Sequence, residues 1–339
     1  MDEPIKLKAG VNLGGWLSQY KTYDLAHFDS FIQENDLKQI ASWGMDHVRL
    51  PIDYPILEDD ARPGIYQESG FSYIERCLSW CQKFGLNMVL DLHKAPGYVF
   101  DRWNETQLFN DPHLIKRYVD LWAMLAQRYR GVGTLAFELL NEINLPDATP
   151  WNKLIKQTIE TIQAIDQNRI IIIGGNHHNA ADQLEYLDLY QDQRVLYTFH
   201  CYNPMVVTHQ KAYWVPALED HKEVITYPGL YPNIAHFGKE FVGRQMDREL
   251  LKFYLQPALD FMWKTGKPLY CGEFGVIDRA PMATRINWLR DFLSLLQEFD
   301  IGWAIWSYKA MDFGLVDQEG EIVNDEIIDI IRQGQASYE

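Results

Sequence analysis

The sequence predicts an α/β protein built as a single (β/α)8 TIM barrel, with a small subdomain inserted after the sixth strand. Eight short runs rich in apolar and β-branched residues alternate with longer segments of helical periodicity. The runs are apolar almost throughout, as is typical of parallel strands covered on both faces, and eight such units fit a closed barrel. The runner-up, a doubly wound sheet, requires a glycine-rich phosphate turn after the first strand, and residues 10–15 do not match that motif.

The predicted elements follow one another in regular order. The strands are residues 9–13, 47–52, 88–93, 135–141, 170–174, 195–202, 269–274 and 303–308. The helices between them include residues 28–43, 73–84, 112–129, 151–166, 249–264 and 284–298. Gly44 and Gly85 follow the first two helices, where a glycine commonly ends a helix. Asp111 and Pro112 form a typical helix start.

One connection, residues 203–247, is too long for a loop between a strand and a helix. It contains four prolines and several aromatic residues, including Trp214, and is too apolar for a disordered linker. We therefore expect one domain, residues 1–339, with 203–247 as an inserted subdomain on the C-terminal face of the barrel.

The chain is acidic, since 31 Lys and Arg residues against 47 Asp and Glu residues give a net charge of −16. Such a surface repels nucleic acid and anionic lipid, so we expect a neutral partner, no nucleic acid and no membrane partner. No apolar run reaches the roughly 18 residues that a membrane span requires. Aromatic residues make up 14% of the chain, which suits a sugar-binding cleft or a large aromatic core.

The cysteines and the first residues bear on metal binding and on compartment. Cys77, Cys81, Cys201 and Cys271 have no metal-binding spacing, so we expect buried free thiols and neither a metal nor a cofactor. Residues 1–8 lack the apolar segment of a signal peptide, which favours a cytoplasmic protein, or a secreted one if a leader was removed. We expect a monomer.

Polar residues come at the carboxyl ends of the predicted strands, where barrels carry their chemistry. The strands become polar only near these ends, which indicates the rim of an active site rather than scattered charge. The side chains expected at this rim are Arg49, His93, Asn141, Glu142, His200, Tyr202, Glu273 and Trp306.

Two of these residues, Glu142 and Glu273, are carboxylic acids on strands that face each other across the barrel. Carboxyl groups about 5–5.5 Å apart hydrolyse glycosidic bonds with retention of configuration, one as acid/base and the other as nucleophile. The acid/base requires a raised pKa, which we expect from the apolar neighbours of Glu142. The alternative for each glutamate is a buried ion pair.

Other polar residues have simpler interpretations. Glu138 and Asp91 lie deeper on their strands and are expected to be paired interior charges. His177 and His178 either line the cleft or belong to an ordinary loop. His93 and His200 are metal ligands in an alternative interpretation, but no carboxylate stands at metal-ligand spacing from them.

Six short segments occur in order, one to a strand: residues 10–16 (GVNLGGW), 47–51 (HVRLP), 91–93 (DLH), 137–142 (FELLNE), 200–202 (HCY) and 272–275 (GEFG). Together they resemble glycoside hydrolase family 5, the large cellulase family, over essentially the whole chain. The resemblance implies a retaining mechanism with Glu142 as acid/base and Glu273 as nucleophile.

The same resemblance implies that the remaining rim residues shape the sugar subsite at the point of cleavage. Asn141 would bind the 2-hydroxyl group of the sugar, and Trp306 would form its stacking floor. The other residues of this subsite would be Arg49, His93, His200 and Tyr202. Many relatives have proline after the Asn-Glu pair, whereas this chain continues with Ile143 and Asn144, which alters the loop beyond the acid/base.

The function hypothesis is an endo-acting β-glucanase that cleaves β-1,4 links in cellulose-type or mixed-linkage β-1,3-1,4-glucan. Trp214 is expected to be a sugar platform, with packing inside the insertion as its alternative. The alternatives within the enzyme class are a β-mannanase, an exo-acting β-glucosidase on oligosaccharides, and a transglycosylase. A carbohydrate-binding protein on an inactive barrel would have lost one of the two glutamates, and this chain has both.

Overall fold

Eight parallel strands close into a barrel, which confirms the predicted fold class. The computed structural model describes residues 5–102, 104–231, 237 and 244–334. The strands are β1 (Ala9–Asn12), β2 (His47–Asp53), β3 (Asn87–Ala95), β4 (Tyr98–Val99), β5 (Leu135–Glu138), β6 (Ile170–Gly174), β7 (Val195–His200), β8 (Leu269–Glu273) and β9 (Gly302–Ile305). Strand β4 lies outside the barrel and pairs antiparallel with the end of β3, while β9 pairs with β1 and closes the ring.

Helices surround the barrel and cover its outer face. They are α1 (Leu25–Ser30), α2 (Glu34–Ser42), α3 (Glu68–Phe84), α4 (Pro112–Arg128), α5 (Thr149–Ile165), α6 (Asn176–Asn179), α7 (Met205–Thr208), α8 (Pro216–Glu219), α9 (Arg248–Thr265), α10 (Met282–Glu298) and α11 (Asp325–Gln333). The long helices begin and end at residues suited to those places. The Asp111 carboxylate caps α4, and Gly85, with a φ of 72°, ends α3 as predicted.

The barrel interior changes from apolar to polar along the strands, because every second residue faces inward. Its lower layer includes Val89 on β3 and Ala136 on β5, which are fully buried. Two residues farther along the same strands come Asp91 and Glu138, and Asp91 is followed by His93. The period of two therefore delivers charged side chains to the C-terminal end of the barrel. The layer below is mostly apolar, with His47 hydrogen-bonded to the hydroxyl group of Tyr270.

The structure corrects the first predicted helix and adds elements that the sequence patterns did not indicate. The predicted helix 28–43 is wrong as one element, since the chain forms α1 and α2 with a break between them. The backbone N–H of Gln33 donates to Asp36, and this capping interaction starts a new helix inside the apolar pattern. Strand β4 and helix α11 are further elements that were not predicted.

The segment 203–247 leaves the end of β7 and packs back on the barrel helices. Its buried Tyr227 donates a hydrogen bond to Asp291 of α10 over 2.9 Å. Two backbone hydrogen bonds between Gly229 and Met246 bring the segment back to the start of α9. Residues 232–236 and 238–243 of the segment, with its aromatic residue Phe241, lie outside the described residues. The division into one domain with an inserted subdomain stays a prediction.

Two smaller features follow from the sequence patterns. All four cysteines are buried and free, as expected. Across the part of the chain that the structure describes, none of the helices combines the length and the apolar character needed to cross a membrane.

Candidate active site

The C-terminal ends of the strands bring the predicted rim residues into one cluster. Parallel strands end at the same edge of a sheet, so residues far apart in the chain become neighbours there. These residues lie on or directly after β2, β3, β5, β7, β8 and β9, and most of them are buried: Arg49, His93, Asn141, Glu142, His200, Tyr202, Glu273 and Trp306.

The two glutamates face each other across this cluster. A carboxylate oxygen of Glu142, one of Glu273 and a ring nitrogen of His200 all lie within 4.8 Å of one another. This separation is close to that of retaining glycosidases and well short of the roughly 6.5–9.5 Å that leaves room for a water molecule in inverting ones. The geometry fits direct attack by one carboxylate and proton transfer by the other.

Glu273, the last residue of β8, is held by two donors. Arg49 Nη1 donates to Oε1 over 2.7 Å, and the Tyr202 hydroxyl group donates to Oε2 over 3.0 Å. Burial and the charge of Glu273 raise the pKa of Tyr202 well above its usual range, so this phenol stays protonated and remains a donor. Both carboxylate oxygens therefore have a fixed direction.

Arg49 is fully buried and connects the carboxylates of the barrel interior. Its Nε and Nη2 donate to the two oxygens of Glu138 over 2.7 and 2.9 Å, and Nη2 lies 3.0 Å from Asp91 Oδ2. Nη1 also donates to Asn12 Oδ1 over 2.9 Å. The predicted pairing of Glu138 and Asp91 is confirmed, because both contact the guanidinium group in a site that excludes water.

Glu142 follows β5 and lies beside two histidines. His200 Nδ1 is 2.9 Å from Oε1, and His178 Nδ1 is 3.6 Å from Oε2. Burial acts to raise the pKa of Glu142, but its interactions with the two histidines outweigh burial and hold this pKa well below its usual value. The expected rise from apolar neighbours is therefore wrong, since that expectation considered only the residues next to Glu142 in sequence.

Asn141 and Trp306 are both oriented by His93. Asn141 Oδ1 accepts from Arg49 over 3.0 Å, and its Nδ2 lies 3.4 Å from His93 Nε2. Burial lowers the pKa of His93 to about 4, so the ring is neutral at pH 7, and the 2.6 Å contact of Nδ1 with Asp91 puts the proton on Nδ1. The Trp306 ring stacks on this imidazole, with centroids 5.8 Å apart and planes 10° apart.

A sequence model of the cellulase family, glycosyl hydrolase family 5, matches residues 9–312. The chain belongs to this family. It is a glycoside hydrolase of the cellulase type, and the resemblance seen in the sequence is confirmed.

Similar proteins include an endoglucanase and a cellodextrinase. Endoglucanase C of Acetivibrio thermocellus is 46% identical over 337 residues, which cover 96% of this chain and 98% of that protein. Cellodextrinase A of Ruminococcus flavefaciens is 36% identical over 83% of this chain and 79% of its own length. Among solved structures, Cel5A of Thermotoga maritima in complex with cellobiose is 25% identical, with a TM-score of 0.79 over 96% of this chain and 97% of that one.

In this glycoside hydrolase, Trp214 lies in the long segment 203–247, called the insertion from here on, and is 43% exposed. It makes an edge contact with His209 and a tilted contact with Phe313, with ring centroids 6.0 and 6.4 Å away. Both of those rings also contact Tyr202, at 5.0 and 5.9 Å. A continuous aromatic wall, made of Tyr202, His209, Phe313 and Trp214, therefore runs from the residue that donates to Glu273 out to the insertion.

Glu142, His200 and Glu273 are also the donor types that bind metal ions, which bears on the expectation that no metal is bound. Arg49 already places a cation 2.7 Å from Glu273. A divalent ion at the same carboxylate would be repelled by this guanidinium group. The donor set thus suits proton transfer and nucleophilic attack better than metal binding, and the absence of a bound metal stays a prediction.

Sequence reasoning missed several residues of the site. Asn12 accepts from Arg49 and donates to the backbone of β8 and β9, yet in the sequence it is one polar residue in an apolar strand. His209 and Phe313 come from separate loops. His178, for which two interpretations were open, lies on the cleft side against Glu142. Only the position of His178 directly after β6 could have indicated its place.

Proposed function

We propose that this family 5 enzyme is a retaining endo-β-1,4-glucanase that hydrolyses cellulose-type or mixed-linkage β-1,3-1,4-glucan by double displacement. The observation that carries the proposal is the pair Glu142 and Glu273. One carboxylate oxygen of each lies within 4.8 Å of the other, and the two carboxylates have different neighbours. Glu273 has two fixed hydrogen-bond donors, and Glu142 has two titratable histidines.

In the first step Glu273 attacks the anomeric carbon, and the bond from that carbon to the glycosidic oxygen breaks. Arg49 and Tyr202 keep the attacking carboxylate in line with the carbon. Because the carboxylate is already oriented, little entropy is lost on reaching the transition state. Glu142 gives its proton to the departing oxygen. The products are a glycosyl ester on Glu273 and a shortened glucan with a free hydroxyl group.

In the second step a water molecule attacks the same carbon from the side that the departed sugar has left. Glu142, now a carboxylate, takes a proton from this water, and the ester bond to Glu273 breaks. Two displacements at one carbon restore the original β configuration. Each residue ends the cycle in its starting protonation state, so the mechanism uses no cofactor.

The remaining rim residues bind the sugar at the point of cleavage. Asn141 donates to the 2-hydroxyl group with the amide that Arg49 and His93 orient, and Trp306 supports the apolar face of the ring. His200 lies between the carboxylates, 2.9 Å from Glu142 and 3.7 Å from Glu273, and balances their charge. Trp214 extends binding along the aromatic wall.

The partner in this proposal is a neutral β-glucan chain, in keeping with the net charge of −16, which disfavours polyanions. Neither nucleic acid nor a membrane has a part in it, and the enzyme acts as a monomer. The names endoglucanase C and cellodextrinase A support a β-glucan substrate, and the former supports internal cleavage.

The experiment that tests the proposal is the product profile on barley β-glucan, carboxymethyl cellulose, laminarin and mannan. We expect a rapid fall in the viscosity of the first two with oligosaccharide products, and β-anomers as the first products by proton NMR. Release of glucose alone would indicate exo action, and α-anomers would refute retention. Products longer than the substrate would indicate transglycosylation.

Mannan is included because a solved structure of Thermotoga maritima Cel5A holds mannotriose as substrate. That enzyme is 25% identical to this chain, over 96% of this chain and 97% of that one. Faster hydrolysis of mannan than of barley β-glucan would replace the glucanase proposal with a mannanase, without changing the roles of the two glutamates.

A further inference from the structure

The chain after β6 contains a backbone arrangement that the mechanism so far leaves unexplained. His177, His178 and Asn179 have φ values of 48°, 58° and 59°, so three successive residues other than glycine are left-handed. This backbone conformation is unfavourable for residues with a Cβ atom and persists only where neighbouring contacts enforce it. This turn lies directly beside Glu142, the proposed acid/base, and it contacts the loop that carries Glu142.

The turn is bound to the loop that follows Glu142. Asn176 accepts a hydrogen bond from the backbone N–H of Leu145 and donates one to its carbonyl oxygen, both over 2.7 Å. The backbone N–H of His178 donates to the carbonyl oxygen of Ile143 over 2.9 Å. These three bonds hold the two loops together, so the left-handed turn sets where the His178 ring lies relative to Glu142.

Both nitrogens of the His178 ring have a neighbour in the loop that follows β5. Nδ1 lies 3.6 Å from Glu142 Oε2, at ion-pair distance, and Nε2 lies 3.0 Å from Asn144 Nδ2. The side chain of His178 is 51% exposed, whereas that of His200, on the other oxygen of Glu142, is 2% exposed. Of these two histidines, His178 is therefore the one that exchanges protons freely with solvent.

We propose that His178 is a positioning residue: at neutral pH it keeps, on the Glu142–His178 pair, the proton that Glu142 gives to the departing sugar. The inference rests on the proposed function of Glu142 as acid/base. In the resting enzyme His178 is an imidazolium ion with protons on Nδ1 and Nε2, Glu142 is a carboxylate, and the Asn144 amide turns so that its Oδ1 accepts from the Nε2–H group. When the substrate displaces water, the Nδ1–H bond breaks and an O–H bond forms on Oε2, from which the proton passes to the glycosidic oxygen.

The charges around the Glu142–His178 pair come from several elements, and they set the pH at which the pair loses its proton. The Glu142 carboxylate raises the pKa of His178 above its usual value, while the charge of His200 on β7 opposes this rise. Glu273 on β8, Tyr98 on β4 and His209 in the insertion also face Glu142. Burial lowers the pKa of His209 to about 4, so at neutral pH this ring adds no charge.

These interactions determine in which direction the pH dependence of kcat/KM shifts when His178 is replaced. With His178 present, the last proton leaves the pair above the usual pKa of histidine. With a neutral side chain at 178, the same proton leaves from Glu142 alone, at a lower pH. The alkaline limb of kcat/KM should therefore move to lower pH when the imidazole is removed, and a merely structural role of His178 would not move it.

The test compares His178→Gln with the matched control His177→Gln. His177 is exposed, shares the left-handed turn and makes no side-chain hydrogen bond or ion pair to the described residues. On cellopentaose, His178→Gln should move the alkaline limb of kcat/KM down by roughly one pH unit, the size expected of an opposite charge at this distance. His177→Gln should leave the limb unchanged.

A second substrate separates proton delivery from general damage. In 2,4-dinitrophenyl β-cellobioside the leaving group is a weak base that departs without a proton. We expect kcat/KM of His178→Gln at pH 7 to fall roughly tenfold on cellopentaose, in step with the shifted limb, and less than twofold on the dinitrophenyl substrate. Equal losses on both substrates, or an unmoved limb, would overturn the proposal.

Histidine NMR tests the pair independently of activity. The titration midpoint of His178 should lie above the usual value for histidine in the wild type and fall in Glu142→Gln, because that change removes the carboxylate beside the ring. An unchanged midpoint would refute the pair. A wild-type enzyme that cleaves neither cellopentaose nor barley β-glucan would refute the proposed function, while the NMR result would still decide whether His178 and Glu142 share a proton.

Discussion

Trp214→Ala tests whether the insertion binds substrate. The ring is 43% exposed and touches three other rings, Tyr213, His209 and Phe313, only at their edges or at a tilt. A tryptophan offers about 150–250 Å² of surface, so roughly 65–110 Å² is free to lie against a sugar. At about 25 cal/mol per Å² this surface contributes about 2 kcal/mol to binding, which corresponds to a roughly thirtyfold rise in KM on its removal.

The assay is steady-state hydrolysis of barley β-glucan by the wild type, Trp214→Ala and a matched tryptophan variant, Trp263→Ala. Trp263 is 60% exposed on α9, with the centroid of the Phe299 ring 6.2 Å away. We expect KM to rise in Trp214→Ala with kcat nearly unchanged, because the wall binds chain that does not react. Trp263→Ala should have the KM of the wild type.

Thermal unfolding distinguishes a platform from a packing residue. A sugar platform contributes to the complex and little to the free enzyme, so the melting temperature of Trp214→Ala should stay within about two degrees of the wild type. A fall of several degrees with an unaltered KM would show that Trp214 packs the insertion, and the interpretation of the aromatic wall as a substrate surface would be refuted.

Three further predictions concern the carboxylates and their surroundings. Glu142→Ala and Glu273→Ala should each lower kcat by several orders of magnitude, with azide giving the β-glycosyl azide in the first and the α-anomer in the second; the same anomer from both would contradict the assignment. The rate should follow a bell in pH with an optimum below 7, since Glu273 must be ionised while the proton remains near Glu142; a rate still rising at pH 9, or lost with EDTA, would contradict it. Arg49→Lys should lower stability by about 3 kcal/mol, measured by urea unfolding, because an ammonium group cannot reproduce the two bonds to Glu138; a wild-type midpoint would show that the pair contributes little.

The barrel could be predicted from sequence because its signal is local and repeated. Parallel strands buried on both faces appear as apolar runs, and the predicted strand 170–174 agrees with β6 at both ends. The break between α1 and α2 could not be predicted from periodicity, since the apolar spacing continues across it. It depends on one capping contact, between Asp36 and the backbone of Gln33, that competes with helix continuation.

The rim of the site could be predicted for a related reason, while its protonation could not. A polar residue at the end of an apolar strand is predicted to lie at the rim, whatever its neighbours are. This rule is sufficient to place both glutamates there. The pKa of Glu142, in contrast, depends on His178 and His200, which lie 36 and 58 residues farther along the chain. Asn12 was missed because its role depends on Arg49, 37 residues away.

In the proposed mechanism Glu273 is the nucleophile, and the interior charges explain how it can be held firmly and still react. A carboxylate whose only partner is a guanidinium group has its charge largely cancelled, which would make it a poor nucleophile. Here Arg49 already has a two-bond partner in Glu138, so the bond to Glu273 supplies direction while a negative charge remains on the Arg49, Glu138 and Glu273 group. Glu138 is fully buried in the barrel, and by binding Arg49 it would leave the charge of the proposed nucleophile available for attack.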